Sequence, residues 1–202
     1  MPVIGITGGI STGKTTFSAC LREIVPGATF FDADQAARDL AERDPEVREL
    51  IAAKFGAAIF SAGGDLNRGQ MRSIVFADAE KKRALEQILH PRIRRQWSLE
   101  AEGHRNSTDL FFADIPLLYE TGGETLCDSV VVVACSPSVQ LARLVARTKV
   151  DRAAAEQMIL SQMPLSEKVR RAVHVVWNNG GREVLAAQAG LLAKYWEDDR
   201  WR

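Results

Sequence analysis

Five short apolar runs punctuate the chain: Val3 to Thr7, Thr29 to Asp32, Leu110 to Asp114, Val130 to Ala134 and Val173 to Trp177. Most are apolar throughout rather than alternating, as expected of strands covered on both faces. Longer stretches at helical spacing lie between them, so the pattern predicts an α/β fold with a five-stranded parallel sheet and helices on both faces. From Ala33 to Asp109 the strand pattern disappears, and helices are expected over Gln35 to Arg43, Pro45 to Phe55, Arg68 to Phe76 and Asp78 to Leu89. That is too much helix for one crossover, so part of it is read as an insertion beside the sheet. Ser61-Ala62-Gly63-Gly64-Asp65 separates two pieces of it, because paired glycines favour a turn. Further on, Val139, Leu141, Leu144 and Val145 trace an apolar helix face. Asp151 is expected to cap a helix running through Gln162, and Glu183 to Trp196 reads as an amphipathic helix packed on the sheet. No repeat or low-complexity tract interrupts this pattern.

Charge changes the picture by exclusion. The chain has 202 residues, with 26 Lys and Arg against 26 Asp and Glu. A formal net charge of zero removes the long-range attraction of nucleic-acid and membrane-surface binders, so any anion site must be local. No stretch approaches the roughly 20 apolar residues of a membrane span. The opening Met1-Pro2-Val3-Ile4-Gly5 lacks the basic start of a secretory signal, and the chain is expected to begin at or near Met1. Cys20, Cys127 and Cys135 are scattered, with no Cys-x-x-Cys pair and no zinc-finger spacing. They read as ordinary thiols of a cytoplasmic protein. No obligate protein partner is evident.

Gly8-Gly9-Ile10-Ser11-Thr12-Gly13-Lys14-Thr15 fits G-x-x-x-x-G-K-[ST]. It follows an apolar strand and precedes a helix from about Lys14 to Glu23, the context in which successive backbone N–H groups close around a phosphate. Gly9, Ile10, Ser11, Thr12, Gly13, Lys14, Thr15 and Thr16 are therefore the candidate ATP-binding residues. Lys14 would meet the β- and γ-phosphates, the Thr15 hydroxyl would ligate Mg²⁺, and Thr16 would donate to the α-phosphate. The plain alternative is a glycine-rich turn that binds nothing.

Phosphoryl transfer also needs carboxylates, one near Mg²⁺ and one to take the acceptor's proton. Two strands end in them, at Asp32-Ala33-Asp34 and at Asp114, and the carboxyl ends of parallel strands line the ligand crevice. All three acids are expected near the phosphate loop. Asp32 and Asp34 would share a face if their strand ran through both, while a helix cap is the alternative for either. Asp34 is the candidate base and Asp32 the candidate ligand of Mg²⁺ or its water shell, with Asp114 next in line for either role. Arg143 and Arg147, four apart on one helix, are candidates to clamp the transferring phosphate, a role worth about 10³ to 10⁵ in rate. A solvated helix face is the alternative. Arg68 is the leading residue for an anionic part of the acceptor, with Asn67 before it as a possible N-cap. His90 is either a substrate contact or a structural histidine. His104 is expected in an exposed loop from Gly103 to Ser107, and His174 has no partner the sequence names. Trp97, Trp196 and Trp201 read as packing or surface anchors.

These residues come in the order and at the spacing of one family across nearly the whole chain. Ile6-Thr7-Gly8-Gly9-Ile10 through Gly13-Lys14-Thr15, then Asp32-Ala33-Asp34, resemble the opening motifs of dephospho-CoA kinases. Asp65-Leu66-Asn67-Arg68 with Val75-Phe76, and Leu89-His90-Pro91-Arg92-Ile93, are similar to that family's helical acceptor insertion. Asp114-Ile115-Pro116-Leu117-Leu118-Tyr119-Glu120 is the most specific stretch, and generic phosphate-loop proteins lack it. Gln140-Leu141-x-Arg143-Leu144-x-x-Arg147 resembles the lid segment, and Asn178-Asn179-Gly180 the last strand-end turn. Two departures are Ser11-Thr12 in place of the usual Gly-Ser, and His174 where an acid is common. Ser11 adds a Cβ to a tight loop, which matters if its φ is positive.

The resemblance implies transfer of the ATP γ-phosphate to the ribose 3′-hydroxyl of dephospho-CoA, giving CoA and ADP, the last step of CoA synthesis. It implies acceptor contacts at Thr7, Asp34, Asn67, Arg68, His90, Asp114 and Leu117. One unit over 1–202 is expected, with a nucleotide core from 1–34, 109–135 and 172–202, an acceptor insertion over 35–108 and a lid over 136–171. One rival is another small-acceptor kinase, such as a nucleoside monophosphate kinase, whose acceptor motifs the 33–109 stretch does not carry. The other is a GTP-dependent switch, because Thr148-Lys149-Val150-Asp151 matches [NT]-K-x-D. In such switches that pattern follows a strand, and here it follows an amphipathic helix.

Overall fold

The computed structural model describes residues 2–105, 107 and 109–198. Trp201, along with Met1 and Asn106 of the expected start and loop, lies outside the described residues. The chain divides into two compact units, Met1–Phe31 with Glu100–Arg202, and Asp32–Leu99.

In the first unit, β1 (Val3–Gly8), β2 (Thr29–Asp32, whose last residue starts the second unit), β3 (Phe111–Asp114), β4 (Ser129–Ala134) and β5 (His174–Trp177) form one sheet in the order β2-β3-β1-β4-β5. The pairings of β1 with β3, β1 with β4 and β4 with β5 are parallel. β1, β3 and β4 are buried along their whole length, which is why they are apolar runs without alternation. On one face Ile4, Ile6, Phe112, Val131, Val133 and Val176 pack with α1 (Lys14–Ile24) and α9 (Arg182–Glu197) through Phe17, Leu21, Leu185, Ala189 and Trp196. The Trp196 ring meets Phe112 edge-on at 5.6 Å, and His174 takes edge contacts at 5.3 Å with Tyr195 and 5.7 Å with Trp196. On the other face Gly5 admits Leu118 and Cys127 so closely that a Cβ would overlap both.

α6 (Pro137–Thr148), α7 (Arg152–Leu160) and α8 (Leu165–Arg171) connect β4 to β5. Ser136 caps α6 at Val139 N–H, and Asp151 caps α7 at Ala154 N–H as expected from its position. The anticipated α6 face is the covered one, with Leu144 buried and Val139, Leu141 and Val145 half-covered, but Gln140 is buried beside it, which the apolar pattern did not show. α8 was not anticipated at all.

The second unit contains α2 (Ala33–Arg43), α3 (Pro45–Phe55), α4 (Arg68–Ala77) and most of α5 (Ala79–His104). Val47, Ile51, Ile59 and Met71 form its core with Phe60, Leu66, Ile74 and Leu85 around them. The Ser61–Asp65 turn closes on itself through Ser61 N–H to Asp65 O and Gly64 N–H to Ser61 O, both 2.8 Å. α5 runs far past Leu89, where the sequence pattern stopped it, because Pro91 is carried inside the helix rather than ending it. His104 is accordingly not in a loop. It closes the last turn of α5, half-buried, with its ring 5.1 Å from Phe111. Trp97 and Trp196 are both buried packing residues. Among the described residues no helix is long and apolar enough to cross a membrane.

Candidate active site

Gly8 ends β1 and Lys14 starts α1, so the strand delivers the chain into five residues that reverse it into a helix. Two of the five need unusual backbone: Ser11 has φ 60° and Gly13 φ 98°. Gly13 is the N-cap of α1 and offers no side-chain acceptor, and the first turn of α1 carries no acid. An anion is the natural partner for helix-start amides left in this way. The Ser11 hydroxyl is buried without a hydrogen-bond partner, as expected of a donor that a phosphate oxygen completes.

The loop is braced from outside. The Gln162 Oε1 accepts from Ile10 N–H at 2.9 Å, Gln140 Nε2 donates to Ile10 O at 2.9 Å, and Asn178 Nδ2 donates to Thr12 O at 2.9 Å. Thr12, fully buried, donates its own hydroxyl to Gly9 O at 2.9 Å. A Cβ on Gly13 would overlap the Asn178 amide, so glycine is required there by space as well as by φ.

Lys14 points its ammonium at Asp114 Oδ1, and the Ser18 hydroxyl donates to Asp114 Oδ2 at 2.7 Å. The register Ile6↔Asp114 explains the meeting, since β3 ends beside the last turn of β1 before the loop. Side-chain exposure is 14 % for Lys14 and 7 % for Asp114, so the pair is screened weakly. Thr15 and Thr16 are exposed, Leu117 is half-buried, and Thr7 is buried with its hydroxyl donating to Pro116 O at 3.0 Å.

The two α6 arginines separate. Arg143 is half-buried, donates through Nη1 to Asn178 O at 2.9 Å, and lines a cavity of about 250 Å³ with Gly13, Thr16, Asn178, Gly180 and Arg182. Arg147 is exposed and does not line it. The Thr148-Lys149-Val150-Asp151 pattern is a corner between helices: Lys149 closes α6 in the left-handed region and Asp151 opens α7. That geometry accounts for the tetrapeptide without a guanine.

In the second unit, β2 stops at Asp32 instead of running through Asp34. Asp32 caps α2 through Oδ1 to Gln35 N–H at 2.9 Å, and Asp34 is exposed in the first turn. The shared strand face is therefore absent, because a capping carboxylate turns the chain helical one residue later. Asn67 caps α4 at Gln70 N–H. The Arg68 guanidinium donates to Glu42, with Nε 2.9 Å from Oε1. Arg92 is held similarly by Glu46 at 2.6 Å, and His90 is half-buried within α5.

Sequence reasoning missed Ser18, Gln140 as a buried residue, Gln162 and Lys168. Lys168 is fully buried, with Nζ 3.3 Å from Gly8 O, 2.9 Å from Pro116 O and 2.9 Å from Glu120 Oε1. Burial pushes its pKa down, opposed by Glu120 and reinforced by Lys14. The one available signal was polar residues inside otherwise apolar helix faces.

A family model of dephospho-CoA kinase matches residues 2–183. The chain is 38 % identical over 195 residues to a dephospho-CoA kinase of Geobacillus kaustophilus, covering 96 % of each. It is 43 % identical over 197 residues to one of Anaeromyxobacter dehalogenans, covering 95 % of this chain and 90 % of that one. The solved dephospho-CoA kinase of Campylobacter jejuni superposes with a TM-score of 0.75 over 98 % of both chains, and at 23 % identity this is a likeness of fold.

Proposed function

The chain belongs to the dephospho-CoA kinase family, an ATP-dependent phosphotransferase acting in the final step of CoA biosynthesis, and we propose that Gly9 to Thr16 seat the ATP phosphates and that Asp34 takes the acceptor proton. The observation that carries this is the braced loop with Lys14 and Asp114 at its mouth. Lys14 exchanges one anion for another when the β- and γ-phosphates arrive, leaving Asp114 its Ser18 donor. The Ser11 hydroxyl and the α1 amides complete the phosphate cradle. The cavity beside Gly13, Thr16 and Asn178 receives the nucleoside, where Arg143 reaches the transferring group from its edge.

Mg²⁺ would be held by the Thr15 hydroxyl, with Asp32 or a water on it as the further candidate ligand. Such an ion keeps several waters and leans on phosphate oxygens, so no dedicated cage of side chains is needed. Bound there, it supplies neutralisation of charge on the β- and γ-oxygens. Residues 136–171 serve as the lid and 35–108 as the acceptor insertion. Within that insertion Asn67, Arg68 and His90 grip dephospho-CoA, and Thr7, Asp114 and Leu117 complete its site. Asp34 then faces the ribose 3′-hydroxyl.

The test is Asp34→Asn with ADP release followed for dephospho-CoA, AMP, adenosine and water. A positioned base is worth about 10² to 10⁴, so kcat is expected to fall by that factor with ATP affinity little changed. Dephospho-CoA should exceed AMP by several orders of magnitude in kcat/KM in the unaltered protein, because remote binding energy positions the hydroxyl. Retained kcat would move the base to Asp114, and equal kcat/KM for AMP would overturn the acceptor assignment.

A further inference from the structure

Lys168 is the one fully buried cation among the described residues; it sits on seven-residue α8, and its ammonium reaches the carbonyl of Gly8 at the end of β1. An ammonium has three donors, and three acceptors surround this one: Gly8 O, Pro116 O and Glu120 Oε1. Only the last is charged, and its side chain is 21 % exposed. Stability alone is a poor reason for such a residue, since well-packed apolar replacements of buried ion pairs are often neutral or stabilising. What the three acceptors share is position. Gly8 O is the last carbonyl before the phosphate loop, Pro116 O lies two residues past Asp114, and Glu120 also accepts from Met163 N–H at 3.0 Å at the entrance to α8. Thr7 reinforces the same Pro116 carbonyl through its hydroxyl.

We infer that Lys168 is a positioning residue for phosphoryl transfer: it ties the start of the phosphate loop to the turn after β3, and so sets where Lys14 and Asp114 stand relative to each other. The inference rests on the assignment of that loop to ATP. Lys168 touches no reacting atom. Without its ammonium, Gly8 O and Pro116 O each lose a donor; Thr7 on Pro116 O and Ile115 N–H on Ile6 O still tie the turn to β1, but the link beyond Ile115 to the start of the loop is weakened and the two can shift slightly against each other. A misplacement of about 1 Å is enough to cost about a hundredfold in rate.

Two variants separate this from a stability role. Lys168→Met keeps the stem but strands the Glu120 carboxylate, and is expected to melt earlier. Lys168→Met with Glu120→Gln removes both charges, and Gln Oε1 still accepts from Met163 N–H. This double variant is expected to melt later than Lys168→Met alone yet keep a kcat about a hundredfold down, with KM for dephospho-CoA within about threefold. A double variant with kcat within about threefold of the unaltered protein would overturn the inference. So would failure of the double variant to fold, which would assign Lys168 to stability. Lys14→Ala runs beside them: if it too turns over, the loop is not the ATP site, whereas a dead Lys14→Ala beside an active double variant defeats the Lys168 inference alone.

Discussion

Gly13→Ala probes the tightest point of the site. At φ 98° an L-residue costs about 1–2 kcal/mol, part of which is returned by the lower entropy of the unfolded chain. The new Cβ also collides with the Asn178 amide, which must give up its bond to Thr12 O. A buried acceptor left unmade costs about 1–3 kcal/mol, so the single variant should lose about 2–4 kcal/mol in all. Asn178→Ala alone loses the same hydrogen bond, about 1–3 kcal/mol. In the double variant that bond is lost once rather than twice and the collision is gone. The two changes should therefore fall short of additivity by about 1–3 kcal/mol. Urea unfolding of the ligand-free protein, read as midpoint shifts at constant slope, measures all three. Additivity to within about 0.5 kcal/mol would mean that Asn178 does not hold the loop against Gly13, and the bracing argument would fail.

Lys14→Ala should abolish turnover, and it should also lower the melting temperature, because it strands the weakly exposed Asp114 carboxylate with only Ser18. Adding Asp114→Asn should return the melting temperature without returning turnover; a single variant that melts normally would show the pair to be energetically idle. His174 has its pKa pushed down by burial, so the folded state favours the neutral ring and the unfolded chain takes up the proton first. Stability from this site is present above the ordinary histidine range and is lost as pH falls below it, so between about pH 7.5 and about pH 5.5 the unaltered protein should lose more melting temperature than His174→Phe. Equal losses would place the acid sensitivity elsewhere.

Local cues carried most of the fold. β2 and α3 occupy the expected residues, Thr29–Asp32 and Pro45–Phe55, because a strand-end acid, a proline at the helix start and a glycine after its end are readable in place. α5 was cut short because a proline ends the pattern that a reader follows, although its fixed φ suits a helix and this long helix absorbs both the lost backbone bond and the ring's clash with the preceding turn. α8 escaped notice because Lys168 turns inward where the periodicity demands an apolar residue. The same reason hid Gln140. The phosphate loop was legible from its own eight residues, but what holds it was not, since Gln140, Gln162, Lys168 and Asn178 are recruited by folding rather than by neighbourhood in the chain. Asp32 shows the opposite limit: its capping role was visible beside the metal role, and geometry displays only the cap.

The bracing of the loop also bears on the order in which the molecule is made. Its supports stand 130, 152, 160 and 166 residues downstream of the carbonyls and the amide that they bind. A ribosome translating this chain releases the loop 166 residues before Asn178, the farthest of its supports. At roughly 5–20 residues per second, the loop waits about 8–30 seconds without its partners. During that interval the nascent chain carries the motif without its braces, so, with the loop seating ATP as proposed above, nucleotide is expected to bind only once Asn178 has emerged.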